Sequence, residues 1–187
     1  VLDEDAVANT FALPSGQNVT DAIRVIIQSA GETSQAITDS PETLKSSLVW
    51  EAGTSKLRII NDLLDAINYF SLWCDGLGQY RVEPYTRPQD RPVMFSFVEG
   101  PQSIHIPNWD RDQDLSKVPN MVVLVSQGGT DTESLVSSFS NIDPASPFSI
   151  PSRGRTIVHR EDGVEATSQA VLDGMAARRL MDLSSSV

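Results

Sequence analysis

Apolar residues with helical spacing lie on one side of a segment that follows Gly53; they are Leu57, Ile60, Leu63, Leu64, Ile67 and Phe70. Thr54 or Ser55 can begin this helix, because either hydroxyl can accept a hydrogen bond from a free backbone amide of the first turn. A helix with one apolar side is stable only when that side packs against another element. The pattern therefore predicts a helix that lies on a sheet or on a second helix.

A similar pattern begins near Val19, and its apolar positions are Val19, Ala22, Ile23, Ile26, Ile27 and Ala30. Asn18 or Thr20 can cap its first turn, and Gly31 suits the left-handed conformation that often ends a helix. The polar residues 32–47 predict a short strand or turn, with a brief helical turn around residues 42–45.

A hairpin is predicted directly after the second helical pattern. Residues 71–74 and 79–83 have strand character, and Asp75-Gly76-Leu77-Gly78 supplies turn residues between them. Residues 84–92 contain three prolines, at 84, 88 and 92, which break regular structure. We expect an exposed, fairly stiff linker and a subdomain boundary there.

Strand patterns dominate beyond this linker. We predict strands over residues 93–98, 103–106, 121–126 and 134–139, with a hairpin turn at Gly128-Gly129 and a further strand over residues 156–159. Residues 141–155 have the proline and glycine content of a long irregular loop. A last helix begins at Glu165 or Thr167; its apolar positions are Val171, Leu172, Met175, Ala176, Leu180 and Leu183.

This order of elements predicts an α+β fold in which amphipathic helices pack on hairpin-rich antiparallel sheet. We divide the chain into residues 1–85, a helix-helix-hairpin α/β subdomain, and residues 86–187, a β-rich subdomain with a C-terminal helix. No internal repeat is recognised in the sequence. The chain begins at Val1 without a targeting pattern and ends just after a helical pattern, so we interpret it as an excerpt of a longer polypeptide.

Charge and composition restrict the function. The 187 residues carry 14 basic and 25 acidic side chains, a formal net charge of −11. This excess of negative charge disfavours direct binding to nucleic acid. No segment approaches the ~20 consecutive apolar residues of a membrane span. One cysteine cannot form an internal disulfide, and two histidines offer little for a metal site.

Several small groups of residues could carry chemistry. Asp110, Asp112 and Asp114 alternate as in a calcium loop, but Leu115 and Met121 stand where that loop needs Gly and Glu, which favours a solvated loop. A general base could be built on His105 or on the His159-Arg160-Glu161-Asp162 run, and these groups leave a hydrolase open as an alternative. No known catalytic motif accompanies them, so we predict no catalytic, cofactor or metal site.

The cysteine and the tryptophans also have structural explanations. Cys74 is expected to be a small buried apolar residue rather than a nucleophile. Trp50, Trp73 and Trp109 could stack on sugar rings, although scattered tryptophans are usually core or interface anchors. A carbohydrate-binding or adhesin-like module, with Trp109 or Tyr85 as the stacking platform, is therefore a second alternative.

The middle of the chain resembles a known family. The segment from Trp50 to Tyr69, WEAGTSKLRIINDLLDAINY, leads into WCDGLGQYRVEP from Trp73 to Pro84. This capped helix with its following hairpin is similar to tail-tip, minor tail and baseplate hub proteins of long-tailed bacteriophages. The earlier residues 16–31 and the later residues 118–125 are similar to the same family.

The resemblance implies a structural, non-enzymatic protein of the virion that forms a ring, commonly a trimer, and joins the tail tube to the tip. It also implies assembly in the bacterial cytoplasm, other tail proteins as partners, and a fold with a tube-like β-barrel and an inserted α/β piece. It carries no catalytic residues. Our candidate subunit contacts are the arginines of the two proline-rich segments, Arg87, Arg91, Arg153 and Arg155, together with Trp109.

Overall fold

Two capped helices form the centre of the first half of the chain. The computed structural model describes residues 1–98, 100–101, 103–104, 118–127 and 133–185. Helix α1 (Val19–Ser29) begins after Asn18, whose side chain accepts a hydrogen bond from the Asp21 amide, and α2 (Lys56–Asp65) begins after Ser55, which caps it in the same way. The two helices pack together through fully buried residues that include Ile23, Ile27 and Ile60. Both predicted helices are confirmed.

Five short strands surround these helices. Strand β1 (Phe11–Leu13) pairs antiparallel with β3 (Leu48–Trp50). Strands β2 (Gln35–Ile37), β4 (Trp73–Cys74) and β5 (Tyr80–Val82) form a sheet in the order β2-β5-β4. The predicted hairpin is present as the antiparallel pair β4 and β5. By contrast, β2 runs parallel to β5, so this sheet is mixed rather than purely antiparallel.

The N-terminal half contains an internal repeat that the sequence did not reveal. The order β1, α1, β2 is followed by β3, α2, β4, and position i of the first unit corresponds to position i + 37 of the second. The helix caps Asn18 and Ser55 correspond in this way, as do the positive-φ residues Gly31 (φ 83°) and Asn68 (φ 56°). Few residue types are kept between the units, which is why the repeat escapes a reading of the sequence.

Backbone hydrogen bonds show that the two units are related by an approximate twofold axis. Gly16 N–H donates to Leu44 O at 2.7 Å, and its equivalent, Gly53 N–H, donates to Val7 O at 2.8 Å. The β1–β3 ladder is centred on the equivalent residues 12 and 49, as a twofold axis through that ladder requires. The correct description of residues 5–74 is therefore a pair of repeated units, not a chain without repeats.

Strand β5 lies outside the repeat and occupies the place between its two halves. The equivalent residues Ala36 of β2 and Trp73 of β4 are both paired with Arg81 of β5. One added strand thus joins the final strands of both units into a single sheet. Its inner residue Val82 is fully buried in the core between them.

A second layer of structure follows in the C-terminal half. Strand β6 (Met121–Ser126) lies between β7 (Val136–Ser140), which is antiparallel to it, and β8 (Val158–Val164), which is parallel. Helix α4 (Gln169–Ser185) packs on one face of this sheet through its apolar side. The buried residues of this second core are Val122, Leu124, Ala166, Leu172, Met175, Ala176 and Leu180.

The fold class is α+β, as predicted, with several local corrections. Residues 93–98 form no strand, and their large apolar side chains are exposed. Residues 42–45 form no helical turn and instead pair with the segment that precedes α1. The loop over residues 141–155 contains a short helix, α3 (Ile150–Arg153). Helix α4 begins after Ser168, whose hydroxyl accepts from the Val171 amide, rather than at Glu165 or Thr167.

The remaining strand predictions have different outcomes: one strand has the predicted bounds, and the bounds of two others differ. Strand β6 has the predicted bounds, while β7 and β8 are displaced or longer than predicted. Ser103 and Ile104 are in no strand, and the remainder of the predicted strand over residues 103–106, like the turn at Gly128-Gly129, lies outside the described residues. The sheets in the described part of the chain are open, with two or three strands each, and none closes into a barrel.

The two halves meet along α4 and the segment that precedes it. Thr167 N–H donates to Ala66 O at 3.3 Å, and the Arg178 guanidinium donates to Tyr69 O at 2.9 Å. Helix α4 also passes close to Asn68: a methyl group at Gly174 would lie 2.8 Å from the Asn68 Nδ2 atom. The C-terminal helix therefore belongs to one core and contacts the edge of the other. None of the helices in the described part of the chain is long and apolar enough to cross a membrane.

Candidate interaction surface

An open groove lies beside β4, at the junction of the two halves. We define the Arg–aromatic groove by Phe70, Trp73, Arg91, Met94 and Arg178. The groove is also lined by Ser71, Glu83, Thr86, Asp90 and Pro92, so two carboxylates balance its two guanidinium groups. Its volume is about 700 Å³, within the usual range of ligand-sized clefts of about 300–1,000 Å³. The groove is open to solvent along its length, so its shape suits a chain segment better than an enclosed small molecule.

Backbone pairing brings the aromatic wall of the groove together. Phe70 N–H donates to Glu83 O at 3.0 Å, and Tyr85 N–H donates to Asn68 O at 3.2 Å, which fixes the segment after α2 against the segment after β5. The rings of Phe70 and Tyr85 then meet at a centroid distance of 5.2 Å and an angle of 51°. This tilted arrangement is a favourable geometry for two aromatic rings.

Two arginines from distant parts of the chain stack on these rings. The Arg91 Cζ atom lies 5.0 Å from the centre of the Phe70 ring and 5.7 Å from that of Tyr85. The Arg178 Cζ atom, which α4 supplies, lies 4.7 Å from the Tyr85 centroid. Arg91 also donates from Nε to Thr86 O at 2.8 Å. Cation–π contact and backbone hydrogen bonds therefore hold both guanidinium groups at the groove.

A mostly apolar segment leaves the groove at Pro92. We call residues 93–98, Val-Met-Phe-Ser-Phe-Val, the apolar arm. The exposed fractions of its large residues are 83% for Val93, 90% for Met94, 60% for Phe95, 70% for Phe97 and 54% for Val98. The rings of Phe95 and Phe97 contact each other at 5.0 Å, edge to face. Such a run of exposed apolar side chains is unusual on a protein surface and indicates a contact region.

The predicted interface residues occupy different places. Arg91 lies in the groove, and Arg87 lies next to it on the surface, where it pairs with Asp90 at 2.8 Å. Arg153 contacts residues of its own chain: its guanidinium donates to Val118 O at 2.7 Å and stacks on the Phe148 ring. Arg155 is exposed at some distance in sequence from the groove residues. Trp109 lies outside the described residues. The structure therefore brings Arg87 and Arg91 together, on one side of the groove.

Sequence reasoning missed most of the groove. Phe70 was assigned to the buried side of a helix, whereas α2 ends at Asp65 and releases the Phe70 ring to the surface. Arg178 was not singled out, because no local pattern connects a helical arginine with a tyrosine 93 positions earlier, Tyr85. The sequence features that could have indicated the groove were the proline-rich segment and the aromatic residues on either side of it.

The candidate catalytic residues do not form an active site among the described residues. His159 Nε2 lies 2.8 Å from Glu161 Oε1, and Glu161 also pairs with Arg179 at 3.0 Å, on the outer strand β8. The small cavity beside Glu161 has a volume of only about 50 Å³, enough for one or two water molecules but not for a substrate. His105 and the Asp110, Asp112, Asp114 run lie outside the described residues. In the part of the chain that the structure covers, no three His, Cys, Asp or Glu side chains are arranged to hold a metal ion.

The surroundings of Cys74 and of the aromatic candidates show what each of these residues does in the fold. Cys74 is exposed on β4, not buried as predicted, because β4 is an edge strand. Trp50 anchors β3 to α2 by donating from Nε1 to Asp62 Oδ2 at 2.9 Å. Tyr85 is covered on its ring by Phe70, Arg91 and Arg178, so it offers no free face to a sugar. Trp73 is 46% exposed and faces the groove.

Comparison with known proteins relates this fold to solved structures. No protein-family model matches the chain, and no curated protein matches it in sequence. The tail protein from Neisseria meningitidis MC58 is similar in structure over 98% of this chain and 52% of its own, with a TM-score of 0.58 and 14% identity. The chain thus spans about half the length of that protein.

Two further solved structures are similar at lower scores. A chain of the virion of a native gene transfer agent particle matches 89% of this chain and 35% of its own, with a TM-score of 0.48 and 15% identity. Prophage tail protein gp18 from Listeria monocytogenes EGD-e matches 96% of this chain and 49% of its own, with a TM-score of 0.44 and 16% identity. The match to the Neisseria tail protein, with its TM-score of 0.58, shows that the chain has the fold of part of that protein.

Proposed function

We propose that this chain is a structural part of a phage or prophage tail, located at the tail tip or baseplate hub. Its work is to dock onto copies of itself and onto neighbouring tail proteins, without catalysis. In this proposal it assembles in the host cytoplasm, forms a ring, commonly a trimer in the family it resembles, and remains in the virion. It binds no nucleic acid directly.

The observation that carries the proposal is the fold shared with the Neisseria tail protein over 98% of the chain. The segment from Trp50 to Pro84 independently resembles tail-tip and hub proteins in sequence. The groove and the apolar arm add a physical reason, because an assembly protein needs exposed apolar and cationic surface rather than a closed reaction cleft. Arg91 and Arg87 are the proposed contacts at the groove.

The alternatives receive less support. A hydrolase would need His159 or its neighbouring acids in a substrate-sized cleft, and His159 lies on an edge strand away from the groove. A carbohydrate-binding module would need a free aromatic face, and the rings of Phe70 and Tyr85 already contact each other and two arginines. Trp73 is the described residue that such a module could use, because it is 46% exposed at the groove, and Trp109 lies outside the described residues.

Labelling of purified particles tests the tail assignment. Gold-conjugated antibodies raised against residues 1–187 are expected to mark one end of the tail in electron micrographs, and deletion of the coding region is expected to stop the formation of complete tails. Antibodies against a capsid protein serve as the control for labelling. Particles that contain no trace of the protein by mass spectrometry, or complete tails without it, would contradict the assignment.

A further inference from the structure

A small cavity lies where the two halves of the chain meet. We define the junction cavity by its polar lining residues, which are Asp65, Asn68, Glu161, Arg178, Arg179 and Asp182. The first two of these belong to the first half, whereas strand β8 and helix α4 supply the others. The cavity volume of about 50 Å³ exceeds the ~10–15 Å³ that one water molecule needs. Polar groups of both halves therefore line a space that is large enough for water.

Asn68 places a hydrogen-bond acceptor without a donor beside this cavity. In the part of the chain that the structure describes, its side-chain oxygen, Oδ1, is buried and accepts no hydrogen bond. A buried carbonyl oxygen without a donor is destabilising, and native proteins supply such atoms with a donor from the protein or from ordered water. The Asn68 oxygen therefore indicates a bound molecule that donates a hydrogen bond.

The two arginines of the cavity are held by other acceptors. The Arg178 guanidinium donates to Tyr69 O at 2.9 Å, and Arg179 pairs with Glu161 at 3.0 Å. Neither guanidinium donates to Asn68 Oδ1. A small molecule that lies between these groups and the Asn68 oxygen would supply the donor that the protein itself does not.

Helix α4 also restricts the position of the Asn68 amide. A Cβ atom at Gly174 would lie only 2.8 Å from Asn68 Nδ2, so the amide group lies against the backbone of the helix. Water both donates and accepts hydrogen bonds. It therefore suits the amide in either orientation of its oxygen and nitrogen, whereas a cation would suit only the oxygen.

The charges of the lining residues favour a neutral ligand. Asp65, Glu161 and Asp182 bring carboxylates, and Arg178 and Arg179 bring guanidinium groups, so an anion and a cation would each face like charge. Among the described residues, no three His, Cys, Asp or Glu side chains are arranged to hold a metal ion. Water is neutral, fits the volume and has both donors and acceptors.

We propose that the junction cavity holds an ordered water molecule that donates a hydrogen bond to Asn68 Oδ1 and joins the turn after α2 to the Glu161–Arg179 pair. The water accepts from a guanidinium N–H and donates its second proton to a carboxylate, which gives it the ~3 hydrogen bonds usual for a buried water. It adds a water-mediated contact to the direct hydrogen bond between Arg178 and Tyr69. The inference concerns how the two halves are joined and does not depend on the proposed tail function.

High-resolution crystallography of the unchanged chain tests the site directly. Density for a water oxygen is expected at about 2.5–3.0 Å from Asn68 Oδ1. The same water is expected within hydrogen-bond distance of at least one charged lining residue. A structure in which this water is absent, or in which a protein group donates to Asn68 Oδ1 instead, would overturn the proposal.

A substitution that fills the cavity tests the site in solution. Val164 also lines the junction cavity, and Val164→Ile adds a methyl group there. The matched control is Val158→Ile, which adds the same group on the same strand, at a residue that is 53% exposed. NMR cross-peaks between water and the side-chain amide protons of Asn68 are expected in the unchanged chain and in the control, and their loss is expected in Val164→Ile. Cross-peaks of equal intensity in all three chains would contradict the proposal.

Chemical unfolding provides a third measurement. Val164→Ile displaces the water and leaves Asn68 Oδ1 without a donor, so it is expected to raise the equilibrium constant of unfolding by about fivefold or more. Asn68→Gly removes this oxygen and keeps a residue that tolerates the left-handed backbone. In the Asn68→Gly background, Val164→Ile is expected to change the constant by less than about twofold. Equal effects in the two backgrounds would contradict the proposal.

Discussion

Asn68 combines several constraints in one residue. Its backbone is left-handed, with φ 56°, although it is not a glycine. Its side-chain oxygen is buried without a hydrogen-bond partner, and its amide nitrogen lies where a side chain at Gly174 would have to fit. The equivalent position of the first repeated unit is Gly31, which has a similar backbone. Residue 68 therefore lies in the turn that follows α2 and also meets α4.

Replacement of Asn68 separates the backbone requirement from the side-chain contacts. Asn68→Gly and Asn68→Ala both remove the amide, but only alanine has a Cβ atom that clashes in the left-handed region. We expect Asn68→Ala to be less stable than Asn68→Gly by about 1 kcal/mol. Urea unfolding of the two variants measures the difference, and equal midpoints would show that the backbone changes its conformation at this residue.

Asp173 on α4 accepts hydrogen bonds from Ser137 of β7 and from Gln169 of its own helix. The Ser137 hydroxyl donates to it at 2.6 Å and the Gln169 amide at 2.8 Å, and these bonds hold the pKa of Asp173 below its ordinary value. Because the folded state prefers the carboxylate, this contribution to stability is present above the unfolded pKa and is lost as the pH falls through the folded pKa.

Ser137→Ala is expected to raise the pKa of Asp173 towards its ordinary value of 3.8 and to reduce the loss of stability on acidification. Carboxyl carbon chemical shifts followed by NMR between about pH 2 and 6 measure the titration. Ser138→Ala is the control, because Ser138 is exposed and points to the other face of the same strand. An unchanged titration in Ser137→Ala would assign the effect to Gln169 alone.

At the scale of elements, the two repeated helices bury equivalent side chains in the same core. Ile23 of α1 and Ile60 of α2 correspond in the repeat, and both are fully buried in the same core. Removal of a buried isoleucine side chain leaves a cavity that the surroundings fill only in part. The repeat therefore predicts similar costs at two positions that are distant in sequence.

Ile23→Ala and Ile60→Ala are each expected to lower the free energy of unfolding by about 2–5 kcal/mol. Val25→Ala is the control, because Val25 is on α1 but 63% exposed, and a change close to zero is expected. Chemical unfolding monitored by circular dichroism provides the comparison. A small effect at one position and a large one at the other would contradict the equivalence of the two units.

The sequence predicted the elements whose signal is local. Capped helices, the β4–β5 hairpin and strand β6 are encoded by spacing and turn residues within a few positions, so they could be recognised. Strands β1 and β3 have only three residues each and are stabilised by each other, which no local pattern records. Residues 93–98 have strand propensity but form no strand, because propensity alone does not make one.

The groove was less predictable because its parts come from three separate segments. The proline-rich segment indicated Arg87 and Arg91, but the rings beneath Arg91 depend on where α2 ends, and Arg178 arrives only through the packing of α4 on both halves. The twofold repeat was hidden for a similar reason. Its two units preserve burial, caps and backbone conformation rather than residue types.

At the scale of the whole molecule, the two cores divide at the proline-rich segment. Every residue of the first core lies between Leu2 and Val82, and the described residues of the second lie between Val122 and Leu180. The contacts of α4 with Ala66 and Tyr69 are made at the rim of the first core. We therefore propose that residues 1–85 are a folding unit of their own.

A chain of residues 1–85 is expected to retain its helices and to unfold cooperatively in urea. Its free energy of unfolding should be lower than that of the full chain, since contacts with α4 are absent. Far-ultraviolet circular dichroism and the unfolding curve test this, with Ile60→Ala in the short chain as an unfolded reference. A gradual loss of signal without a transition would mean that the first half depends on α4 for its structure.

Strand β5 makes the two sides of the first half different from each other. A pair of units related by a twofold axis presents each of its surfaces twice, so a partner cannot distinguish its two related sides. Because β5 runs parallel to one unit and antiparallel to the other, it removes that equivalence and leaves the Trp73–Cys74 edge unlike its counterpart. A building block with distinguishable ends can be stacked head to tail, which is the property that a tube with a top and a bottom requires of its parts.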